Sequence, residues 1–288
     1  MAPKPQQPNG AGDMTPEIAA VLSGASRGCV VCGDCLPIMR EMPDKCVDLV
    51  ITSPPYGELR EYGGYDFDFE NVAIEIVRLI TDGGVLVWVI GDASPDDGGE
   101  SGDAMRQALI FKRLGLRLHD TMIYEKAGPA YPAQDKYYQV WEYMFVFSRG
   151  RPKTFNPLSD RPNRWFKKKF SRIRSRRKKD GSLIVSTWDE EQGGEYGIRF
   201  NVWRYACGAG YSAEEDYAHE HPAIFPEALA ADHIYSWSNP GDIVLDPMLG
   251  SGTTTKMSRH LGRRYIGIEI NQSYVDIANK RLAQEEIF

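Results

Sequence analysis

The segment DIVLDPMLGSGTT, residues 242–254, begins with an apolar run that predicts a short buried strand over residues 242–246. A glycine-rich turn follows, and the next residues predict a helix from Thr253 to Leu261. A further apolar run, Arg264 to Ile270, predicts a second strand that carries Glu269 near its end. A strand, a glycine-rich turn, a helix and a strand that ends on an acid are the order in which a doubly wound α/β sheet holds a nucleotide-like ligand.

The turn and the two acids indicate the kind of ligand. Gly250 and Gly252 allow the backbone to approach a ligand closely, and Glu269 can accept hydrogen bonds from both hydroxyls of a ribose. The third glycine of a dinucleotide-binding turn is missing, because threonines follow at 253–255. Asp246, before the turn, is poorly placed for a pyrophosphate and well placed for an ammonium group. These features favour S-adenosylmethionine over NAD.

A second segment, TSPPY at residues 52–56, follows the apolar run Val47–Ile51, which predicts another buried strand. Two consecutive prolines end that strand, because neither has an N–H to donate, and they make the corner stiff. Carbonyl groups, the hydroxyl of Ser53 and the ring of Tyr56 then suit the exocyclic amine and flat ring of a nucleobase. A diproline loop that only turns the chain is the alternative, and the glycine-rich turn makes the functional interpretation the stronger one.

The chain has 288 residues, of which 42% are hydrophobic and 26% are charged, as in an ordinary soluble globular protein. That length suffices for one large α/β domain with an inserted lobe. No apolar run approaches the roughly 20 residues of a membrane helix. The polar start of the chain predicts a disordered tail over residues 1–14 rather than a signal peptide. We therefore expect a cytoplasmic protein that does not contact a membrane.

The cysteines raise the question of a metal site. There are five, and Cys29, Cys32, Cys35 and Cys46 lie close together in the chain. The C-x2-C-x2-C spacing would suit zinc. However, Cys29 and Cys32 lie in or beside a strand pattern, where side chains alternate between faces and do not converge on one ion. We expect reduced thiols and no metal.

Alternating strand and helix patterns run over residues 15–149 and return over residues 213–288. This alternation predicts an α/β fold with a doubly wound, mostly parallel sheet and helices on both faces. Gly83 and Gly84 are expected to separate a helix from a strand over Val85–Ile90, and Ala223–Ser236 predicts a helix. Residues 150–212 break the pattern and are expected to form an irregular inserted lobe.

This middle region concentrates positive charge in a chain whose net charge is −6. Aromatic residues are interleaved with the cations of Arg161–Lys179, and Trp188 follows them. Cations suit phosphates and aromatic faces can stack on bases, so nucleic-acid contact is predicted here, with a solvated charged surface as the alternative. The predicted contact residues are Arg164, Trp165, Lys167, Lys168, Lys169, Arg172, Arg174, Arg176 and Arg177.

Together, SPPY at residues 53–56 and DPMLGSGTT at residues 246–254 resemble the paired motifs of the DNA amino-methyltransferases, which modify N4 of cytosine or N6 of adenine. The tetrapeptide comes first, the variable region lies between, and the cofactor motif comes last. This order is similar to that of the β class of the family, a circularly permuted form of the methyltransferase fold. The resemblance extends from Gly28 to Leu282, apart from the basic middle.

The resemblance implies roles for individual residues. The catalytic motif matches Ser53, Pro54, Pro55 and Tyr56, and the cofactor contacts match Asp34, Phe225, Asp246, Pro247, Leu249, Gly250, Ser251, Gly252, Thr253 and Glu269. The segment His221–Glu227 matches the part of the family that lines the methionine side. Met248 stands where the family often has Phe, and it fills a similar space.

The resemblance also implies an activity: methylation of DNA by S-adenosylmethionine after the target base is flipped out of the duplex. Ser at position 53 points to N4 of cytosine, because adenine enzymes usually carry Asp there. Adenine N6, methylation of RNA or of a protein amide, and an inactive DNA-binding module stay open as alternatives. A second copy of the chain and a cognate restriction endonuclease are the further partners considered, in a prokaryote or a phage.

Overall fold

The computed structural model describes residues 14–55, 67–92, 99–127, 137–164, 166, 169–191, 194–208, 211–221, 224 and 226–284. The chain forms two compact units. The smaller unit is Pro157–Phe200, and the larger unit is made of the chain on either side of it. The tail predicted over residues 1–14 lies outside the described residues, except for Met14.

Helices and strands alternate along the larger unit. Its helices are α1 (Pro16–Ser23), α2 (Cys35–Glu41), α3 (Phe69–Leu79), α4 (Asp103–Arg113), α5 (Glu227–Trp237), α6 (Thr253–His260) and α7 (Gln272–Ala283). With numbering through the whole chain, its strands are β1 (Gly28–Cys32), β2 (Val47–Thr52), β3 (Ile80–Ile90), β4 (Arg117–Ala127), β5 (Trp141–Ser148), β10 (Val202–Ala206), β11 (Ile243–Asp246) and β12 (Arg264–Glu269).

These strands form one sheet in the order β1-β12-β11-β2-β3-β5-β4-β10. The strands β1, β12, β11, β2 and β3 are mutually parallel. Strand β5 is antiparallel to both of its neighbours, and β10 is parallel to β4. The predicted α/β class and the mostly parallel sheet are confirmed.

Side chains of the sheet alternate between two covered faces. Val50, Leu86 and Trp88 belong to a hydrophobic cluster with α1, α2, α3 and α4, whereas their neighbours Leu49 and Val87 are buried outside that cluster. The remaining helices pack on one another, α5 on α6 and α6 on α7. A parallel sheet needs such cover on both faces. None of the helices in the described ranges is long and apolar enough to span a bilayer.

Strand β3 begins earlier than the sequence predicts. It starts directly after α3, so Gly83 and Gly84 lie inside the strand and do not separate it from the helix. The pairing of β2 with β3 shifts register between Val47 and Leu49, and Gly83 adopts a φ of +79° while its N–H donates to the carbonyl of Arg149. Glycine is tolerated in a strand at such an irregularity.

The smaller unit is shorter than the insert predicted over residues 150–212. Residues Val202–Ala206 form β10 and belong to the main sheet, where Trp203 is buried. The smaller unit contains two ribbons, β6 (Arg161–Pro162) with β9 (Tyr196–Gly197), and β7 (Lys169–Arg177) with β8 (Leu183–Glu191).

The sequence pattern of the middle region does not predict the two strands β7 and β8. Charged residues at alternate positions hide the apolar alternation from which a strand is predicted. Helix α5 also begins later than the predicted Ala223. Pro226 stands at its N-cap, and the residue before a proline is disfavoured in a helix.

Candidate functional site

The carboxyl ends of four adjacent parallel strands bring the predicted site residues together. Strand β1 ends beside the end of β12, where Cys32 pairs with Glu269, and β11 lies between β12 and β2. Asp34, Glu269, Asp246 and Ser53 therefore stand at or just beyond the ends of these strands, on one edge of the sheet. This edge is where doubly wound sheets bind their ligands.

The glycine-rich turn takes a shape that only glycine permits at two positions. Gly250 and Gly252 have φ values of +56° and +90°. A Cβ on Gly252 would lie 2.7 Å from the Cβ of Ala278 in α7, and one on Gly250 would lie 2.9 Å from Nε2 of His221. The His221 ring in turn packs edge-on against Tyr274. The turn is thus closely enclosed by α7 and by the segment that contains His221.

Asp246 is buried where β11 meets the turn, with 1% of its surface exposed. Its Oδ1 accepts the N–H of Met248 at 3.1 Å, and its Oδ2 accepts the hydroxyl of Thr254 at 2.6 Å. Burial raises the pKa of Asp246 to about 6, although the hydrogen bonds from the Thr254 hydroxyl and the Met248 N–H oppose that rise. A cation beside Asp246 would favour its ionised form.

Glu269 joins the turn to the end of β12. Its Oε2 accepts the N–H of Gly250 at 2.8 Å, and its Oε1 accepts the N–H of Asn271 at 2.9 Å. Burial raises the pKa of Glu269, and these backbone donors oppose the rise. Each carboxylate oxygen can accept a second hydrogen bond, so Glu269 offers acceptors for two neighbouring hydroxyls.

Asp34 is held next to Glu269. Its Oδ1 accepts the N–H of Leu36 and caps α2, while the N–H of Gly33 donates to the carbonyl of Glu269 at 2.9 Å. An acid follows β1 at this point because the N-cap of α2 needs a short acceptor side chain.

The diproline corner follows β2 directly. Ser53 is half-buried and Pro54 is buried, and the register of β2 with β11 brings the buried Thr52 near Asp246. The corner therefore lies next to the glycine-rich turn, because β2 and β11 are neighbouring strands in the sheet. Five predicted site residues lie outside the residues that the structure describes: Tyr56, Phe225, Trp165, Lys167 and Lys168. Their roles stay predictions.

The side chains of three predicted cofactor residues, Leu249, Ser251 and Thr253, have partners within the protein. Leu249 packs over Gly267, where an added Cβ would lie 2.5 Å from Cδ2 of Leu249. The hydroxyls of Ser251 and Thr253 lie 3.4 and 3.3 Å from the Nη1 of Arg281. Each hydroxyl can still donate its own hydrogen to a ligand, so the cofactor roles of Ser251 and Thr253 stay predictions.

The cysteines are free thiols. Burial raises the pKa of Cys29 and of Cys35 to about 12, and that of Cys46 to about 11, so these thiols are protonated at neutral pH. Across the residues that the structure describes, no group of His, Cys, Asp and Glu side chains is arranged to hold a metal ion.

A cluster of buried charges beside the turn, formed by Glu215, Glu227, Lys256 and Arg281, is absent from the sequence predictions. The clue in the sequence is the position of Arg281, which shares the buried face of α7 with Ile277. A cation on such a face indicates a buried partner.

Comparison with known proteins identifies the family of the chain. A family model described as DNA methylase, of the N6/N4 type, matches residues 47–280. The chain belongs to this family of DNA amino-methyltransferases, and it is a site-specific DNA methyltransferase with DNA as its substrate.

Individual relatives cover most of the chain. The orphan methyltransferase M.BamHII of Bacillus amyloliquefaciens is 52% identical over 245 residues, which are 85% of this chain and 92% of that protein. The type II methyltransferase M.Cfr9I of Citrobacter freundii is 30% identical over 278 residues, with 88% and 87% covered. The solved PvuII DNA methyltransferase, described as cytosine-N4-specific, is 19% identical, with a TM-score of 0.66 over 91% of this chain and 89% of that chain. It supports the fold.

S-adenosylmethionine is the cofactor of methyltransferases in this family. The residues of the site fit such a ligand. Asp246 is a buried carboxylate for a cationic group, Glu269 has acceptors for two ribose hydroxyls, and the turn at Gly250 lets backbone approach the ligand.

Cofactor affinity is expected to rise with pH through the pKa of Asp246. In the folded protein the carboxyl is protonated below about pH 6 and gives no negative charge to a cation, whereas above that pH it is ionised. We expect S-adenosylmethionine to bind roughly tenfold more weakly at about pH 5 than at about pH 7.5, as measured by titration calorimetry.

The control is Asp246→Asn, which removes the titrating group but keeps an acceptor for one of its two hydrogen bonds. Its affinity should be lower and should change less between the two pH values than that of the unmutated protein, because Glu269 still titrates in the site. Equal affinities of the unmutated protein at both pH values would contradict the role of Asp246.

Proposed function

We propose that this DNA methyltransferase transfers the methyl group to N4 of cytosine. The observation that carries the proposal is Ser53 at the start of the diproline corner, where adenine enzymes of the family usually carry Asp. The corner adjoins the buried Asp246 of the cofactor turn, so the target amine and the cofactor would meet at the β2–β11 boundary. The circularly permuted order of the motifs belongs to the same proposal.

S-adenosylmethionine would supply the methyl group: its methyl carbon is the electrophile, the C–S bond to the sulfonium sulfur breaks as the C–N bond to the base forms, and the amine loses one proton. In our proposal Glu269 holds its ribose, Asp246 holds its cationic end, and Asp34 lies near the adenine. The backbone of the turn from Gly250 to Gly252 shapes the pocket between them.

The corner acts on the target base. A flipped cytosine would stack on Tyr56 and donate N–H groups to the Ser53 hydroxyl and the Pro54 carbonyl. These two acceptors pull the amine nitrogen from a planar towards a tetrahedral geometry, which frees its lone pair from the ring. The prolines keep the acceptors in place, because their rings fix the backbone. The chain itself needs no covalent intermediate with the base.

Adenine N6 is the alternative on the same fold, since its exocyclic amine could use the same acceptors. The test is incubation of unmethylated plasmid DNA with the protein and S-adenosylmethionine, followed by nuclease digestion and mass spectrometry of the nucleosides. We expect N4-methyldeoxycytidine. N6-methyldeoxyadenosine would overturn the base assignment, and cofactor binding without either product would indicate an inactive DNA-binding module.

Ser53→Ala is the matched variant for that assay, because it removes one acceptor from the amine and leaves both prolines. We expect kcat to fall on the order of 10²-fold while the dissociation constant for S-adenosylmethionine stays the same. An unchanged kcat would contradict the role of Ser53.

The ribbon of β7 and β8 is the proposed site of DNA contact, with the basic residues named above as its candidates. Arg176 and Arg177 are exposed and pair with the uncharged Ile184 and Leu183, whereas near the other end of the ribbon β7 pairs with the acidic residues 189–191. Positive charge is therefore least balanced where the ribbon turns. Unbalanced cations of this kind suit phosphates.

The double variant Arg176→Gln/Arg177→Gln should bind DNA more weakly. If both cations neutralise phosphates, the slope of log affinity against log salt should become shallower by about 1 for each contact that is lost. Fluorescence anisotropy with a labelled duplex at several salt concentrations measures this slope. The control is Arg40→Gln, an exposed cation of α2. An unchanged slope in the double variant, or an equal change in the control, would contradict DNA contact at the turn of the ribbon.

A further inference from the structure

Arg281 is the most completely buried cation of the larger unit among the described residues, and it lies next to the cofactor turn. Its side chain has no exposed surface. Its Nη1 donates to the carbonyl of Ser251 at 2.8 Å, and the hydroxyl of Thr253 lies 3.3 Å away. These bonds fasten the end of α7 to the middle of the turn, where Gly250 and Gly252 are in the left-handed region.

The same guanidinium reaches the chain segment on the other side of the turn. Its Nε pairs with Glu215 at 3.2 Å, and its Nη2 pairs with Glu227, the first residue of α5. Lys256 of α6 also binds both carboxylates, at 2.8 and 2.9 Å. Two cations and two carboxylates thus form a largely buried cluster, and the exposed Glu214 adds a longer contact with Lys256 at 3.4 Å.

Hydrogen bonding and charge favour the ionised state of the cluster. Burial opposes ionisation of Glu215, but the hydrogen bond from Lys256 and the charge of Arg281 lower its pKa. Burial likewise opposes the charge of Lys256, while its bonds to Glu215 and Glu227 raise its pKa. The cluster therefore stays charged at neutral pH.

We propose that Arg281 is a positioning residue of the cofactor site. Its hydrogen bond holds the Ser251 carbonyl in position and thereby stabilises the shape of the turn. Its bond to Glu215 holds in position the segment whose His221 packs against Gly250. Its side chain contacts the turn from the side of α7, so it acts through the turn and not by touching the cofactor. Lysine cannot replace it, because the three N–H donors of an ammonium group radiate from one nitrogen and do not span a carbonyl and two carboxylates as the planar guanidinium does. The inference rests on the proposed place of the cofactor in this turn.

A second buried arginine provides a matched control. Arg263 is 6% exposed and donates to the hydroxyl of Ser238 at 3.0 Å and to its carbonyl at 2.6 Å. It precedes β12, so it lies at the opposite edge of the sheet from the turn. Arg263→Lys therefore reproduces the chemical change of Arg281→Lys away from the cofactor site.

The experiment measures the dissociation constant for S-adenosylhomocysteine by titration calorimetry. Urea unfolding of each variant measures its free energy of unfolding. We expect Arg281→Lys to raise the dissociation constant at least tenfold and to raise KM for S-adenosylmethionine more than it lowers kcat. Arg263→Lys should change the dissociation constant less than twofold. Unchanged binding in Arg281→Lys, or an equal loss in Arg263→Lys, would overturn the inference.

A second pair of variants decides the matter if Arg281→Lys does not fold. Glu215→Gln removes a buried charge partner of Arg281, whereas Glu214→Gln changes the neighbouring glutamate, which is 84% exposed, does not contact Arg281 and reaches Lys256 only at 3.4 Å. We expect weaker S-adenosylhomocysteine binding only in Glu215→Gln, and equal binding in the two would overturn the inference. If the unmutated protein fails to bind S-adenosylhomocysteine, the proposed function fails. If it binds and the variants bind equally well, only the role of Arg281 fails.

Discussion

The burial of two carboxylates on one edge of a parallel sheet is the constraint on which the rest of the site depends. Asp246 and Glu269 end adjacent strands, and the charge of Glu269 adds to the burial that raises the pKa of Asp246. Two like charges in a site of low polarity are costly unless donors or a cation offset them. Backbone amides of the turn and the Thr254 hydroxyl supply the donors, and a cationic, ribose-bearing cofactor would supply the rest.

The adjacent strand β2 positions the diproline corner next to these two carboxylates. Its last residue, Thr52, lies against Asp246, and the diproline corner begins immediately afterwards. The parallel order of β11 and β2 would thus place a ligand bound at the turn beside an amine bound at the corner. A stiff corner would keep the acceptors of Ser53 and Pro54 in one geometry when a target base enters and leaves, so they would not have to be reordered in each reaction.

The sequence predicted the parts of this arrangement that neighbouring residues determine. One short segment contains the apolar run before Asp246, the glycines after it and the acid at the end of β12. The structure has β11, α6 and β12 in that segment, as predicted. Features made by distant residues were missed. Arg281 and Glu215 are 66 positions apart, so no local pattern links them. The predicted insert includes residues 202–206, whereas in the structure they form β10 of the main sheet and Trp203 is buried.

A crystal structure of the protein with S-adenosylhomocysteine and a target duplex would test the central claim most directly. The account predicts the ribose hydroxyls on Glu269 and the cationic end of the ligand near Asp246. It also predicts a flipped base whose amine lies on the Ser53 hydroxyl and the Pro54 carbonyl and faces the ligand sulfur. A diproline corner filled by the protein's own side chains, or a ligand bound away from the β2–β11 boundary, would contradict it.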